Sequence, residues 1–311
     1  MHYTGTIWRP PYEADSLLLE VTAGCTHHKC KFCTLYHDLP FGFRMSPMQD
    51  IESDLIEVQC LRSSPVSQIT ARLQGRGNPE PIRRLFLTGA NPFVLKTEKL
   101  LEISGLIRQY LPSVETIGCF SRITDSVNKT DEELIQIRRA GYTGLPIGVE
   151  TGDDDALAWM HKGYTSQDIL TQCRRLERAE IAYGFFYLAG ISGRGNGNAG
   201  AKTTAEVFNQ LHPFLIGPNM LTVYPDSELY QEIQNGNWRE ESEHEKYHEI
   251  RTLVKHLNGP TFFAAMGASN AFQISGHLPE EKESLLTALD TIISEVSEKE
   301  LRQYRETLPH L

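Results

Sequence analysis

The chain has 311 residues, of which 40% are hydrophobic, and its 30 Lys and Arg against 40 Asp and Glu give a net charge of −10. This size permits one large α/β domain with a modest extension, or two small domains. The acidic balance argues against broad electrostatic binding to nucleic acid or to an anionic membrane. The first residues lack the pattern of a leader peptide, and no apolar stretch approaches a membrane span, so we expect a cytoplasmic protein.

Short apolar runs predict six buried strands after an entry segment of residues 1–15. The predicted strands cover residues 16–21, 83–88, 114–120, 145–149, 183–189 and 219–224. The first predicted helix has Ser46 at its N-cap and Pro47 at its first position, and it buries Ile51, Leu55 and Val58. Residues 62–81 are rich in Ser, Gly, Pro and Arg and are predicted to form a loop.

Further helices are predicted between the later strands. Thr97 is expected to cap the second helix, and Thr130 with Glu133 forms a capping box for the third, which ends at Gly141. Two more helices are predicted over residues 166–180 and 205–215. The glycine-rich residues 190–200 between them are predicted to form a mobile loop, because no Lys-Ser or Lys-Thr follows directly to make a nucleotide-binding loop.

Alternation of strands and helices predicts a parallel sheet with right-handed crossovers. About 210 residues for six units are too few for a complete eight-fold barrel. We therefore predict an α/β fold with a partial (β/α)6 TIM-like barrel over residues 16–225. Residues 226–311 are predicted to form a mainly helical extension that closes the barrel, with a seventh short strand at residues 261–266.

Three cysteines lie within nine residues after the first predicted strand: Cys25, Cys30 and Cys33, separated by four and then two residues. Loops at the carboxyl ends of such strands are where α/β proteins place their chemistry. Three thiolates leave two alternatives, a zinc site completed by a histidine or an iron–sulfur cluster with one open iron. The histidines available for a zinc site are His27, His28 and His37.

The segment Cys30-Lys31-Phe32-Cys33 resembles the radical S-adenosylmethionine (radical SAM) superfamily, whose signature is C-x3-C-x-aromatic-C. The first spacing here is one residue longer than in that signature. The resemblance implies that Cys25, Cys30 and Cys33 bind a [4Fe-4S] cluster whose open iron binds S-adenosylmethionine. It also implies that Phe32 lies against the adenine of this cofactor.

Two later strand ends strengthen the resemblance. Gly89, Ala90 and Asn91 stand where the family has a glycine-rich turn whose backbone binds the amino group of the methionine moiety, although Ala90 replaces one glycine. The fourth strand ends in residues 148–153, Gly-Val-Glu-Thr-Gly-Asp, followed by Lys162-Gly163 and Thr165. This is similar to the G-V-E-S-G and K-G-x-T patterns of the methylthiotransferase and coproporphyrinogen-oxidase relatives, and it implies that Glu150 binds the ribose hydroxyls.

Three more residues receive expected roles. Gly190 lies in a segment that resembles the family's fifth-strand end, where backbone groups meet the adenine. Arg122, just beyond the third strand, is a candidate partner for the methionine carboxylate, the alternative being a solvated surface arginine. Cys119 is a candidate hydrogen donor to a substrate radical, the alternative being a buried structural cysteine.

The resemblance implies a radical SAM enzyme that cleaves S-adenosylmethionine reductively to a 5′-deoxyadenosyl radical and abstracts hydrogen from an unidentified small molecule. It also implies a one-electron donor such as flavodoxin or ferredoxin, and we expect neither a membrane nor a nucleic acid as partner. Two alternatives stay open: a zinc-binding structural or regulatory protein, and a radical SAM homologue without chemistry that acts as a binding or cluster-delivery module.

Overall fold

A computed structural model describes residues 1–75 and 80–308 of the protein. The chain divides into two compact units. Unit 1 comprises Met1–Thr26, Tyr36–Leu145 and Ala179–Ile181. Unit 2 comprises His27–Leu35, Pro146–Arg178 and Ala182–Leu311.

The described residues of unit 1 form five strands and four α-helices, and a sixth strand begins in this unit and ends in unit 2. The strands are β1 (Leu17–Glu20), β2 (Thr22–Gly24), β3 (Phe43–Met45), β4 (Arg84–Thr88), β5 (Thr116–Cys119) and β6 (Tyr142–Glu150). The helices are α1 (Met48–Ser63), α2 (Pro65–Leu73), α3 (Thr97–Tyr110) and α4 (Asp131–Arg139). Short 3-10 helices cover Pro11–Glu13, Pro92–Val94 and Ile123–Ser126.

Three parallel strands form the centre of unit 1. Leu19 of β1 pairs with Leu87 of β4, which pairs in turn with Cys119 of β5, and all three side chains are buried. Helix α1 covers this sheet with the predicted face of Ile51, Leu55 and Val58, all buried. The short strands β2 and β3 pair antiparallel in a separate two-stranded sheet.

Helix boundaries in unit 1 confirm one predicted cap and correct two others. The Thr130–Glu133 capping box is present at α4. Ser46 does not cap α1, because its hydroxyl faces the Glu20 carboxylate and Pro47 holds the N-cap position. Lys96, not Thr97, precedes α3, a difference of one residue.

The predicted loop over residues 62–81 is wrong in its first part. Helix α1 continues to Ser63, and Pro65 begins a second helix, α2, which extends to Leu73. Proline is well placed at a first helical position because its missing N–H has no partner there in any case. Residues 76–79 of the predicted loop lie outside the described residues.

The part of unit 2 that the structure describes contains the end of β6, four further strands and seven helices. The strands are β7 (Ala182–Ala189), β8 (Leu215–Met220), β9 (Thr261–Ala265) and β10 (Ile274–Leu278). The helices are α5 (Asp154–Trp159), α6 (Ser166–Arg178), α7 (Gly197–Phe208), α8 (Glu228–Gln234), α9 (Glu243–His256), α10 (Lys282–Glu295) and α11 (Glu298–Glu306).

The main sheet has eight strands in the order β1-β4-β5-β6-β7-β8-β9-β10 and is mostly parallel. In unit 2, β7 pairs parallel with β8 and β8 with β9, while β10 is antiparallel to β9. Strand β9 confirms the strand predicted at residues 261–266, whereas β10 was not predicted.

Two predictions in unit 2 are shifted along the chain. The strand predicted at residues 219–224 is β8, Leu215–Met220, because Gly217 and Pro218 continue the strand instead of breaking it. The helix predicted at residues 205–215 is α7, which begins at Gly197. Residues 197–200 are therefore helix and not part of a glycine-rich loop, and the predicted mobility of residues 193–196 stays a prediction.

Buried charges fix the C-terminal helices to the end of β8. Arg305 of α11 donates to both oxygens of Glu243 at 2.8 and 2.9 Å and to the carbonyl oxygen of Leu221 at 3.0 Å. Lys246 of α9 donates to the same carbonyl at 3.1 Å. Because unpaired buried charges are costly, this set holds α9 and α11 in place within unit 2. In residues 1–75 and 80–308 no helix is long and apolar enough to cross a membrane.

Candidate active site

The three cysteines of the motif lie in half-buried positions. In unit 1 the backbone N–H of Cys25 donates to the carbonyl oxygen of Gly42 at 2.8 Å. In unit 2 the N–H of Cys33 donates to the carbonyl oxygen of Cys30 at 3.1 Å, which forms a tight turn. Among the residues that the structure describes, no three His, Cys, Asp or Glu side chains are grouped as a metal site.

Backbone hydrogen bonds fix the second half of the cysteine motif inside unit 2. The Lys31 N–H donates to the carbonyl oxygen of Met160 at 3.2 Å, and the Lys31 carbonyl accepts from the N–H of Leu229 at 2.8 Å. Phe32 packs against a buried apolar cluster that includes Met160 and Ile191. Since Ile191 follows β7, this cluster includes a residue of the segment that the sequence predicts to meet the adenine.

His27, one candidate zinc ligand, has a structural role in unit 2. Its Nε2 atom lies 2.5 Å from the carbonyl oxygen of His161. Its ring also covers Gly163, where an added Cβ would lie 2.9 Å from the ring and where φ is +77°. Glycine at this position therefore allows the imidazole to pack on the turn that follows Lys162.

The turn after β4 in unit 1 requires glycine. Gly89 has φ +126°, and an added Cβ would overlap the hydroxyl of Thr22. The hydroxyls of Thr22 and Thr88 are buried and have no hydrogen-bond partner within the described residues. Buried polar groups usually have partners, so two unpartnered hydroxyls beside Gly89 mark this turn as a candidate functional position, and both hydroxyls are enclosed in this structure. Ala90 is half-buried beside them.

Asp125 joins two of the predicted cofactor residues of unit 1. Its Oδ1 accepts from the Asn91 side-chain amide at 3.0 Å, and its Oδ2 accepts from the Arg122 backbone N–H at 2.8 Å. The same Asn91 amide donates to Thr26, the residue after Cys25, at 2.8 Å. Burial raises the pKa of Asp125 to about 6, although these hydrogen bonds oppose the shift. The guanidinium of Arg122 is half-buried and donates to Thr124 at 3.1 Å.

Cys119, the candidate hydrogen donor, is fully buried at the end of β5. Burial raises the pKa of its thiol far above the ordinary value, and the charge of Asp125 adds to the effect. The thiol therefore keeps its hydrogen, which is the form that hydrogen donation requires, but its side chain is not exposed to a ligand in this structure.

Glu150 ends β6 with a backbone φ of +64°, a left-handed conformation that is uncommon for residues other than glycine. Its carboxylate folds back over Gly148, where an added Cβ would lie 2.7 Å from Oε1. The Lys162 ammonium lies 3.2 Å from the same oxygen and also donates to the Gly148 carbonyl at 3.0 Å. Such uncommon backbone conformations cluster at functional sites, which makes this carboxylate a candidate ligand group.

Lys162 and Tyr164 complete this corner of unit 2. Lys162 is only 4% exposed and lies 5.7 Å from the centre of the Phe32 ring. The hydroxyl of Tyr164 donates to the Gly148 carbonyl at 2.9 Å. The K-G-x-T pattern signals these residues in the sequence, but the pairing of Lys162 with Glu150 is visible only in the structure.

Gly190 lies in the left-handed region with φ +93°. Its N–H donates to Glu249 at 2.7 Å, and its carbonyl accepts from the Gly193 N–H at 3.1 Å. Both backbone groups of Gly190 are therefore already bonded within unit 2. The next residue but one, Ser192, donates to Asp153 at 2.9 Å and so connects this loop to the Glu150 turn.

A scan against protein-family models matches residues 19–193 to the Radical SAM superfamily. This match covers more than half of the chain, so the chain belongs to the radical SAM superfamily and is an enzyme of that type. The cofactors of the family are a [4Fe-4S] cluster and S-adenosylmethionine. No curated protein matches the chain.

Solved structures with the same fold include radical SAM enzymes. Coproporphyrinogen III oxidase (HemN) from Escherichia coli has a TM-score of 0.54 at 14% identity, over 77% of this chain and 51% of that chain. The Elp3 of the archaeon Methanocaldococcus infernus has a TM-score of 0.53 at 13% identity, over 89% of this chain and 63% of that chain. Methylornithine synthase (PylB) has a TM-score of 0.52 at 11% identity, over 93% of this chain and 85% of that chain.

The chain thus spans about half to two thirds of the first two of these proteins. At these identities the similarity establishes the fold alone. The predicted superfamily and the predicted α/β fold class are confirmed, while the predicted site residues stay predictions.

Proposed function

We propose that Cys25, Cys30 and Cys33 bind a [4Fe-4S] cluster and that the turns after β4, β6 and β7 bind S-adenosylmethionine. The substrate is a small molecule, the protein works in the cytoplasm, and a flavodoxin or ferredoxin supplies the electron. We also propose the domain organisation expected from the sequence: an entry segment at residues 1–15, a core at 16–225 and a closing extension at 226–311.

The observation that carries this proposal is the fixed carboxylate of Glu150. Vicinal ribose hydroxyls donate well to a carboxylate, and a carboxylate held by Lys162 loses little rotamer freedom when a ribose binds. The same ammonium lies 5.7 Å from the centre of the Phe32 ring. Unit 2 thus offers an aromatic face and an anchored acceptor, which are the two groups that an adenosine moiety requires.

The donor chemistry of the remaining residues fits the cofactors. Thiolates are the usual ligands of iron–sulfur clusters, and metal binding orders ligands that are not grouped beforehand. Gly89 lets the turn after β4 pack directly on Thr22, which fixes this turn in place, and Asn91 is oriented by Asp125. When bound, the cluster supplies one electron for the cleavage of S-adenosylmethionine to a 5′-deoxyadenosyl radical. The chain's own residues orient the cofactor and exclude water.

Metal analysis tests this proposal against the two alternatives. Protein reconstituted without oxygen should contain iron and sulfide and form 5′-deoxyadenosine with dithionite. The cluster and 5′-deoxyadenosine formation should both be lost in each of the variants Cys25→Ala, Cys30→Ala and Cys33→Ala. Cys60→Ala changes an exposed thiol and should retain the cluster and the reaction. Stoichiometric zinc without sulfide would establish the structural zinc protein, and a full cluster without 5′-deoxyadenosine would establish the silent homologue.

A further inference from the structure

A surface cavity of about 340 Å³ lies in unit 2, between the loop after β7 and the segment after α8. Its lining includes Arg194, Asn237, Trp238 and Arg239. The Arg194 N–H donates to the carbonyl oxygen of Arg239 at 2.9 Å, so the two segments are bonded to each other. The charged residues of this lining are the two arginines.

These two arginines stand out because the chain has a net charge of −10. A partner protein that is itself acidic is repelled by most of the surface of this negatively charged chain. A local positive patch then determines where the partner docks. Glu245 lies 4.0 Å from Arg194 and offsets part of its charge. The lining is therefore positive without being strongly basic, which suits a short-lived complex.

A chain of packed side chains leads from this cavity to the cysteine motif, entirely within unit 2. The rings of Trp238 and Trp159 are stacked, with centroids 6.0 Å apart and planes at 24°. The Lys31 ammonium lies 4.0 Å from the centre of the Trp159 ring. Lys31 directly follows Cys30, and Glu232 neutralises its charge at 2.7 Å.

We propose that this cavity is the docking site of an acidic flavodoxin-type electron carrier, whose exposed flavin edge lies against Trp238. The packed side chains of Trp238, Trp159 and Lys31 are the medium through which the electron tunnels to Cys30. The reduced flavin loses one electron and the cluster gains it, and no bond forms or breaks. This inference rests on the proposed function, since it needs a cluster at Cys30.

The size and shape of the cavity fit such a partner. Electron-transfer complexes bury little surface and exchange quickly, so a small cavity with two arginines is sufficient. The half-buried indole of Trp238 offers an apolar wall to a flat aromatic edge. Tunnelling weakens steeply with distance and is faster through packed atoms than across a gap, so a stacked indole pair favours entry at this point.

Charge reversal at the two arginines tests the docking site. We expect Arg194→Glu with Arg239→Glu to lower the rate of S-adenosylmethionine cleavage with reduced flavodoxin by at least about tenfold, because steering charges act mainly on association. The rate with dithionite, a small reductant that needs no docking, should be unchanged. The matched control is Arg174→Glu, which makes the same charge change at an exposed residue of α6.

A second readout does not depend on turnover. Calorimetry with oxidised flavodoxin should show binding to wild type and to Arg174→Glu, with affinity that falls as salt rises, and about tenfold weaker binding to the double variant. Equal flavodoxin affinity and rate in the double variant and the control would overturn the proposal, as would preserved flavodoxin rates in Trp238→Leu. Loss of the dithionite-driven reaction in wild type would instead refute the proposed function.

Discussion

The Lys162 ammonium lies 3.2 Å from Oε1 of Glu150, the last residue of β6. The side chain of Lys162 is buried and that of Glu150 is half-buried. Glu150 has a left-handed backbone and Lys162 lies in the turn that follows α5, so neither side chain reaches its position through regular secondary structure. The ammonium of the pair lies 5.7 Å from the centre of the Phe32 ring. The Glu150 carboxylate has four hydrogen-bond acceptor positions, and Lys162 uses only part of them, which leaves acceptors for a ligand.

Removing either member of this pair should weaken cofactor binding. Glu150→Ala should reduce the affinity for S-adenosylmethionine by about 1–3 kcal/mol, the usual cost of lost hydrogen bonds to a charged group. Lys162→Met should reduce it less, because the carboxylate remains but is no longer held, and Lys162→Arg should restore part of the loss. Calorimetry on cluster-loaded protein with unchanged iron content measures these effects. Unchanged affinity in Glu150→Ala would place the carboxylate outside the binding site.

Gly148 allows a separate test of the carboxylate's position. An added Cβ would lie 2.7 Å from Glu150 Oε1, so Gly148→Ala should push the carboxylate out of its position beside Lys162 without disturbing the backbone. We expect S-adenosylmethionine affinity to fall nearly as far as in Glu150→Ala, with little change in melting temperature. Gly259→Ala is the matched control, since nothing lies within 4 Å of the added Cβ there. Equal S-adenosylmethionine affinities in Gly148→Ala and Gly259→Ala would contradict this expectation.

The parts of the site that the sequence predicts are those set by neighbours along the chain. Apolar runs located the buried strands β1, β4, β5 and β7, and strand ends then located Gly89, Glu150 and Gly190. The pairing of Glu150 with Lys162 and the bridging position of Asp125 depend on turn conformations and on side chains from other elements. No local pattern specifies such contacts, so they could not be predicted.

Glycine and proline caused the larger errors in secondary structure. Residues 197–200 contain two glycines and were predicted as loop, yet they begin α7. An added Cβ would lie 2.6 Å from the Glu249 carboxylate at Gly197 and 2.5 Å from the Ser192 hydroxyl at Gly200, so a larger residue at either position would displace these side chains. Close tertiary contacts thus selected glycine at helical positions, against its low helix propensity.

Asp125 should make unit 1 sensitive to pH. Its pKa is about 6 in the folded protein against an ordinary value of 3.8, so the folded state holds a proton that the unfolded state releases between these values. Stability from this group is therefore complete below pH 3.8 and is lost as pH rises through about 6. Urea unfolding across this pH range should show that the free energy of unfolding of wild type falls as pH rises, whereas that of Asp125→Asn lacks this fall. Asp15→Asn, at an exposed residue, should behave like wild type; parallel curves for all three proteins would contradict the assignment.

Two buried carboxylates hold the loop after β7 to helix α9. Glu249 accepts from the Gly190 N–H at 2.7 Å and from the Tyr187 hydroxyl, and Glu241 accepts from the Gly197 N–H at 2.8 Å. Burial raises the pKa of Glu249 well above its ordinary value, and the neighbouring Glu241 charge raises it further. Burial also raises the pKa of Glu241, with Glu245 adding to the shift and Lys246 opposing it. The pair therefore retains a proton at pH values where an exposed glutamate has lost it.

This pair should make the order of the loop depend on pH. Because both pKa values are raised, the stabilisation is present at low pH and is lost as pH rises through the pKa values of the folded pair. Amide hydrogen exchange at Gly190 and Gly197, corrected for intrinsic rates, should therefore show protection that declines with rising pH. Glu249→Gln keeps an acceptor without a charge and should keep protection at every pH, whereas Glu249→Ala should lose it at every pH. Protection that is independent of pH in wild type, or unchanged in Glu249→Ala, would show that packing alone orders the loop.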